Sequence, residues 1–198
     1  TPDGRQVPSV TTVLSATKDM THLYEWRKRV GAEKAQQITT ESANIGTVMH
    51  RSLEKHVKGE TRKPGTNLIQ QKAHTMANVI IDKGLQDVSE IWGSEVSLYY
   101  PELYAGTTDL VGVYKGAPAI MDFKQARKLK KKEWVEDYYL QLVAYAEAHN
   151  KMYSTNISTG RIFICTQKNE YQTFEIDNYD EWVGKWYAKL EQYYKVTL

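Results

Sequence analysis

In this 198-residue chain, Asp109, Asp122 and Lys124 are the residues whose types and spacing could do chemistry. Asp122 and Lys124 bracket Phe123 in the run Ala-Ile-Met-Asp-Phe-Lys. Side chains alternate along a strand, so both charged groups point to one face. Asp109 lies in Thr-Thr-Asp-Leu-Val-Gly-Val, which reads as the preceding strand of a hairpin. Across that hairpin it can approach Asp122 to roughly 5 Å. Two carboxylates so close repel each other unless positive charge lies between them. Two arrangements meet that need. In one, Lys124 closes a partly buried salt bridge and the group is structural. In the other, the hard carboxylate oxygens bind Mg2+ or Mn2+, which keep positions open for water and phosphate, while Lys124 orients a water or stabilises developing charge.

The elements that must position these groups follow from periodicity. A β-branched run at 9–15 leads into a polar helix at 22–37, which carries the triplet Arg27-Lys28-Arg29. A clearer helix at 43–58, closed by Gly59, sets Gly46, His50, Leu53 and Val57 on one apolar stripe. A third helix at 67–83 stops at Gly84. The period then changes to that of strands at 95–100, 104–114 and 119–124, with Gly116-Ala117-Pro118 as the turn between the last two. A helix at 132–150 follows, on which Gln141 and Tyr145 share a face. Strands at 161–167 and 171–176 come next, and a final helix from Tyr179 presents Trp182, Val183, Trp186 and Leu190. This order predicts an α/β fold with a mixed central sheet flanked by helices. A single domain over 1–198 is expected, mainly helical at 1–90 and α/β at 91–198.

Composition narrows the function classes. Lys plus Arg number 26 against 24 Asp plus Glu, so any affinity for nucleic acid must come from local clusters of charge. One cysteine, Cys165, rules out an internal disulfide framework, a multi-cysteine zinc site and a self-contained four-cysteine iron–sulfur cluster. No apolar run approaches the roughly 20 residues of a membrane span, and the first ten residues lack a signal peptide's apolar segment. A soluble, intracellular monomer without a membrane partner is the expectation.

Taken together, "GTVMH" (46–50), Glu95 with "GTTDLVG" (106–112), "IMDFK" (120–124) and "QLVAYA" (141–146) stand in the order found in the RecB-like branch of the PD-(D/E)xK superfamily, and the chain resembles that family. The N-terminal "VPSVTTVLSATKD" and "YEWRKR" narrow the resemblance to the mitochondrial genome maintenance exonuclease group with its phage and bacterial relatives. The resemblance implies a restriction-endonuclease-like core and a Mg2+- or Mn2+-dependent deoxyribonuclease. It further implies that His50, Asp109 and Asp122 ligate metal, with the Phe123 carbonyl as a further ligand, and that Lys124 is catalytic. Glu95 matches an acidic position that helps to hold a second metal. Gln141 and Tyr145 are expected to steady the lysine or touch a phosphate. One departure is visible: Gln125 follows the lysine where relatives commonly have Thr.

DNA is the expected partner, single-stranded or with free ends. Arg127, Lys128, Lys130 and Lys131 follow directly on the catalytic strand, where cations would meet the phosphate backbone. Arg27, with Tyr24 and Trp26 for stacking, is a second candidate. Ser9 and Thr11 belong to the segment that resembles the family's N-terminus. The leading expectation is an exonuclease of replication, recombination or genome maintenance, placed in the cytoplasm of a bacterium or phage-infected host, or in the mitochondrial matrix. The alternatives are a structure-selective or Cas4-like endonuclease without an iron–sulfur cluster, and a degenerate DNA-binding module.

Overall fold

The computed structural model describes residues 1–2 and 4–197. Its centre is a sheet in the order β1 (Val88–Tyr100), β2 (Tyr104–Tyr114), β3 (Ala117–Ala126), β4 (Thr159–Thr166), β5 (Tyr171–Glu175). Only the β3–β4 pair is parallel. A parallel neighbour needs a long crossover, and helix α5 (Glu136–Tyr153) provides it. The expected mixed sheet with helices on its faces is therefore the observed one.

Alternation along the strands divides two cores. Leu110, Met121, Phe123, Phe163 and Cys165 pack against Ile45, Met49 and Leu53 of α3 (Ala32–Val57) and Met76 and Ile80 of α4 (Leu68–Lys83). On the other face, Val111, Ile120, Ile162 and Ile164 meet Leu142 and Val143 of α5, Trp186 and Leu190 of α6 (Tyr179–Thr197), and Val10 and Val13 of α1 (Val10–Ala16). Asp109 and Asp122 share strand parity with Val111 and Ile120, so they belong to the α5 face.

Several element boundaries differ from those expected. The run at 9–15 is helical from Val10, with the Ser9 side chain capping it by accepting from the Thr12 N–H at 3.0 Å. The polar helix expected at 22–37 is broken: α2 (Thr21–Val30) ends at Gly31, whose φ of 87° leaves the helical region, and α3 begins at Ala32 rather than 43. The β2–β3 turn is Lys115-Gly116, both at positive φ, and Ala117 already pairs with Tyr114. Pro118 fits inside β3 because pairing with β4 starts only at Ala119, leaving the proline's missing N–H without a ladder to break. The stop at Gly59 is as expected. The N–H groups of Gly59 and Glu60 donate to the carbonyls of His56 and Lys55, closing α3 by a left-handed cap.

Candidate active site

β3 delivers Asp122 and Lys124 to one face, and their side chains meet at 2.6 Å between Oδ2 and Nζ. α5 crosses this face. Gln141 accepts from Lys124 Nζ through Oε1 at 2.9 Å and donates from Nε2 to the Tyr145 hydroxyl at 3.3 Å. An ammonium can only donate, so the lysine fixes which way the Gln141 amide faces. One turn earlier on α5, Tyr138 places its ring 5.2 Å from Lys124 Nζ. Sequence reasoning missed Tyr138, although the steps 138, 141 and 145 repeat at helical spacing.

Asp109 comes from β2, opposite the end of that pair. Its Oδ2 accepts the Phe123 backbone N–H at 2.7 Å, and its Oδ1 lies 3.2 Å from Nδ1 of His50. His50 reaches over from α3 and sets its ring edge-on to Phe123, with centroids 6.2 Å apart. Glu95 completes the group from β1. His50, Glu95 and Asp109 each offer a ligand atom within 4.8 Å of the others. Asp122, also expected as a ligand, lies outside this trio. Glu95 carries a φ of 51°, and the Glu95–Asp109 position is absent between the Ser94–Leu110 and Val96–Thr108 partners of β1 and β2. A non-glycine residue held there is strained, and such strain gathers where a side chain must be aimed.

The electrostatics separate the carboxyls. Burial pushes Asp122 up to about 6, with repulsion from Asp109 adding to it and Lys124 opposing. Burial also works to raise Asp109, but the His50 hydrogen bond and charge, Lys124 and the Phe123 N–H outweigh it and hold the group below the ordinary carboxylate range. Glu95 is raised, by partial burial and then by Asp109. Burial works to lower Lys124 and His50, yet the neighbouring carboxylates win and both are raised. Asp122 Oδ2 is buried without an aligned hydrogen-bond donor, despite its nearness to Lys124. Three acids against one lysine and one histidine fit a divalent cation in chemistry and in number of donors.

The similarity of the chain to known proteins agrees with this geometry. The chain is similar to a mitochondrial exonuclease. Mitochondrial genome maintenance exonuclease 1 of Mus musculus is 26% identical over 205 residues, covering 94% of this chain and 59% of the relative. The Homo sapiens protein of that name is 26% identical over 206 residues, covering 94% and 58%. The chain thus spans about three fifths of the length of the curated relatives it matches. A crystal structure of an exonuclease candidate from Eubacterium rectale superposes with a TM-score of 0.56 at 13% identity, over 75% of this chain and 64% of that one. That likeness is one of fold. No family model matches the chain.

The expected DNA contacts fall in three places. Arg127, Lys128 and Lys131 are exposed and Lys130 is half-buried in the loop after β3. Gln172 pins that loop, accepting from the Lys130 N–H and donating to its carbonyl, both at 2.8 Å. Lys128 and Lys131 each stand 5.5 Å from the ring of Trp134, a residue that sequence reasoning did not single out. Arg127, Lys128, Lys130 and Trp134 line a cavity of about 390 Å3 together with Gln125, the neighbour of Lys124 in sequence, and Tyr138. Arg27 is exposed in the last turn of α2, a helix that buries none of its own residues. Ser9 and Thr11 sit at the α1 cap, with their hydroxyls 2.9 Å apart, beside Ala105 of β2. Ala105 precedes Asp109 by four residues, about 13 Å along a strand.

Proposed function

We propose that the chain hydrolyses phosphodiester bonds of DNA from its ends, as an exonuclease that acts with Mg2+ or Mn2+ on single strands and on frayed or flapped ends. The observation that carries this reading is the convergence of His50, Glu95 and Asp109 beside the Asp122–Lys124 pair. The names and the coverage of the curated relatives support it. His50, Glu95, Asp109 and Asp122 would hold the cation, which when bound supplies Lewis-acid polarisation of the phosphodiester and of the attacking water.

The chain's own residues do the rest. Lys124, raised by its two carboxylate neighbours, stays an ammonium at neutral pH. It therefore donates and does not act as the base. Its place next to Asp122 suits it to stabilise negative charge as the phosphate oxygens gain it. Gln141, itself hydrogen-bonded to Tyr145, holds the ammonium in that place. The pinned basic loop and the Trp134–Tyr138 cavity lie where the strand leaving the site would pass, and contacts of this kind bind the backbone without reading sequence. We place the protein as a monomer, inside a bacterial cell or in the mitochondrial matrix.

The test uses end-labelled linear single strands, linear duplex and covalently closed single-stranded circles, each with Mg2+, Mn2+ or EDTA. Metal-dependent loss of the linear strand with the circle intact is the expected result, and the 5′ or 3′ position of the released label gives the polarity. Cutting of the circle would replace the exonuclease by an endonuclease. Binding without cutting would leave a degenerate module.

A further inference from the structure

Beside α3, a second cavity of about 370 Å3 is lined by Arg51, Lys55, Arg62 and Lys63, with Val48, Ser52 and Thr61. No acid lines it. Arg62 is half-buried and fixed: its Nε donates to Ser52 Oγ at 3.1 Å and an Nη to Asn78 Oδ1 at 2.7 Å. Both partners are neutral, and Asp82 acts on Arg62 only from beyond ion-pair distance. Among the described residues, Arg51, Lys55 and Lys63 form no salt bridge either. A guanidinium held part-way out of water by neutral groups, among three unneutralised cations, is an arrangement that an anion completes.

Arg51 ties this cavity to the acidic cluster, because it also lines the cleft that holds His50, Glu95 and Asp109. At a rise of 1.5 Å per residue, His50 and Lys55 are separated by about 7.5 Å along the α3 axis. We infer that the Arg51–Lys55–Arg62–Lys63 cavity is a second phosphate site, which takes a backbone phosphate of the DNA strand close to the one at the acidic cluster. This rests on the reading of the chain as a DNA nuclease. The site's chemistry is that of any phosphate, so free inorganic phosphate is the competing source.

Fluorescence anisotropy of a labelled single-stranded oligonucleotide in EDTA, over a series of sodium chloride concentrations, compares the wild type with Lys55→Ala/Lys63→Ala. Both lysines are exposed, so the fold is kept. Losing the one phosphate contact should reduce the slope of log K against log salt by about 0.7 and weaken binding several-fold. Lys185→Ala/Lys195→Ala removes the same charge from α6 and should leave the slope as it is. A slope unchanged in the first variant, an equal change in both variants, or a wild type that binds no DNA would each overturn the inference. Thermal melting in phosphate against chloride at matched ionic strength separates the sources. Phosphate protection that Lys55→Ala/Lys63→Ala loses while its DNA slope stays at wild type would make this a free-phosphate pocket and overturn the strand assignment. A wild type that binds DNA and cleaves none sinks the nuclease reading, while the slopes, measured in EDTA, still decide the cavity.

Discussion

Lys124 on β3 and Arg161 on β4 are built into the sheet in much the same way. Each is a largely buried cation paired with an acid, Asp122 for the lysine and Glu175 for the arginine. Each also lies over a tyrosine ring, Tyr138 at 5.2 Å and Tyr114 at 4.6 Å. Their surroundings differ. The Glu175 side chain is 51% exposed, so water solvates the acid and the pair is balanced. The Asp122 side chain is 6% exposed, and Asp109 acts on it as a second carboxylate. An ion pair alone therefore says nothing about function in this fold. What marks the site is negative charge beyond what the local cations neutralise.

The sharpest way to break that comparison is to truncate both cations. Lys124→Ala should lower cleavage by about 10²- to 10³-fold while DNA affinity in EDTA stays close to wild type, because the ammonium acts on charge that appears only during reaction. Arg161→Ala should lower the unfolding free energy in urea by about 1–3 kcal/mol and leave turnover of the folded protein as it was. If the two variants lose activity alike, the distinction between the pairs is wrong.

Asp122 gives the next largest effect. Burial pushes its carboxyl up to about 6 in the folded chain, from about 4 for an ordinary aspartate. Between those values the unfolded chain has shed a proton that the folded chain keeps, so this group makes stability fall as pH rises from about 4 to about 6, after which its contribution is flat. Asp109, held low, works in the opposite sense and loses its contribution as pH falls through the acid range. In EDTA, Asp122→Asn should therefore be more stable than wild type by about 1–3 kcal/mol at pH 8 and equal to it at pH 4, while cleavage is lost. A variant that is less stable at pH 8 would mean that Lys124 depends on Asp122 more than burial costs it. Mn2+ bound at this site should relieve the same charge. At a hundred times its dissociation constant it should add about 2.7 kcal/mol to wild-type stability. At the same Mn2+ concentration the gain should be smaller at pH 5, where binding must displace a proton from Asp122, and stabilisation that is larger at pH 5 would exclude this carboxyl as a ligand.

Much of the site was legible because its positions follow simple periods. Strand alternation put Asp122 with Lys124, the hairpin put Asp109 across from them, and the four-residue step on α5 put Gln141 with Tyr145. The same reasoning gave the mixed sheet, since a helix between two strand patterns calls for a parallel crossover. Backbone exceptions were not legible. Nothing in Gly-Ser-Glu-Val announces a left-handed Glu95, because a strained conformation is imposed by tertiary packing and not by propensity. Lys115 at positive φ moved the hairpin turn one residue toward the N-terminus, against the pull of Pro118. The α2–α3 break was hidden for another reason: α2 is polar and buries nothing, so its pattern runs on into α3 without a change of face.

The smallest predicted effects concern how Lys124 is held. Tyr145 is tightly seated, and a Cβ on Gly106 of β2 would lie 2.7 Å from its Cε1. Gly106→Ala should therefore push the ring, and with it Gln141, away from Lys124. Tyr145→Phe keeps the ring in that cradle and removes only the hydroxyl, whose partner is Gln141 Nε2 at 3.3 Å. The Gln141 oxygen still faces the lysine, because the ammonium accepts no hydrogen bond. A single neutral hydrogen bond contributes about 0.5–1.5 kcal/mol, so Tyr145→Phe should cut turnover by about 2- to 10-fold and Gly106→Ala by more. DNA affinity in EDTA should not move in Tyr145→Phe. If it does, or if turnover drops as far as in Lys124→Ala, the hydroxyl touches a phosphate and does not act through Gln141.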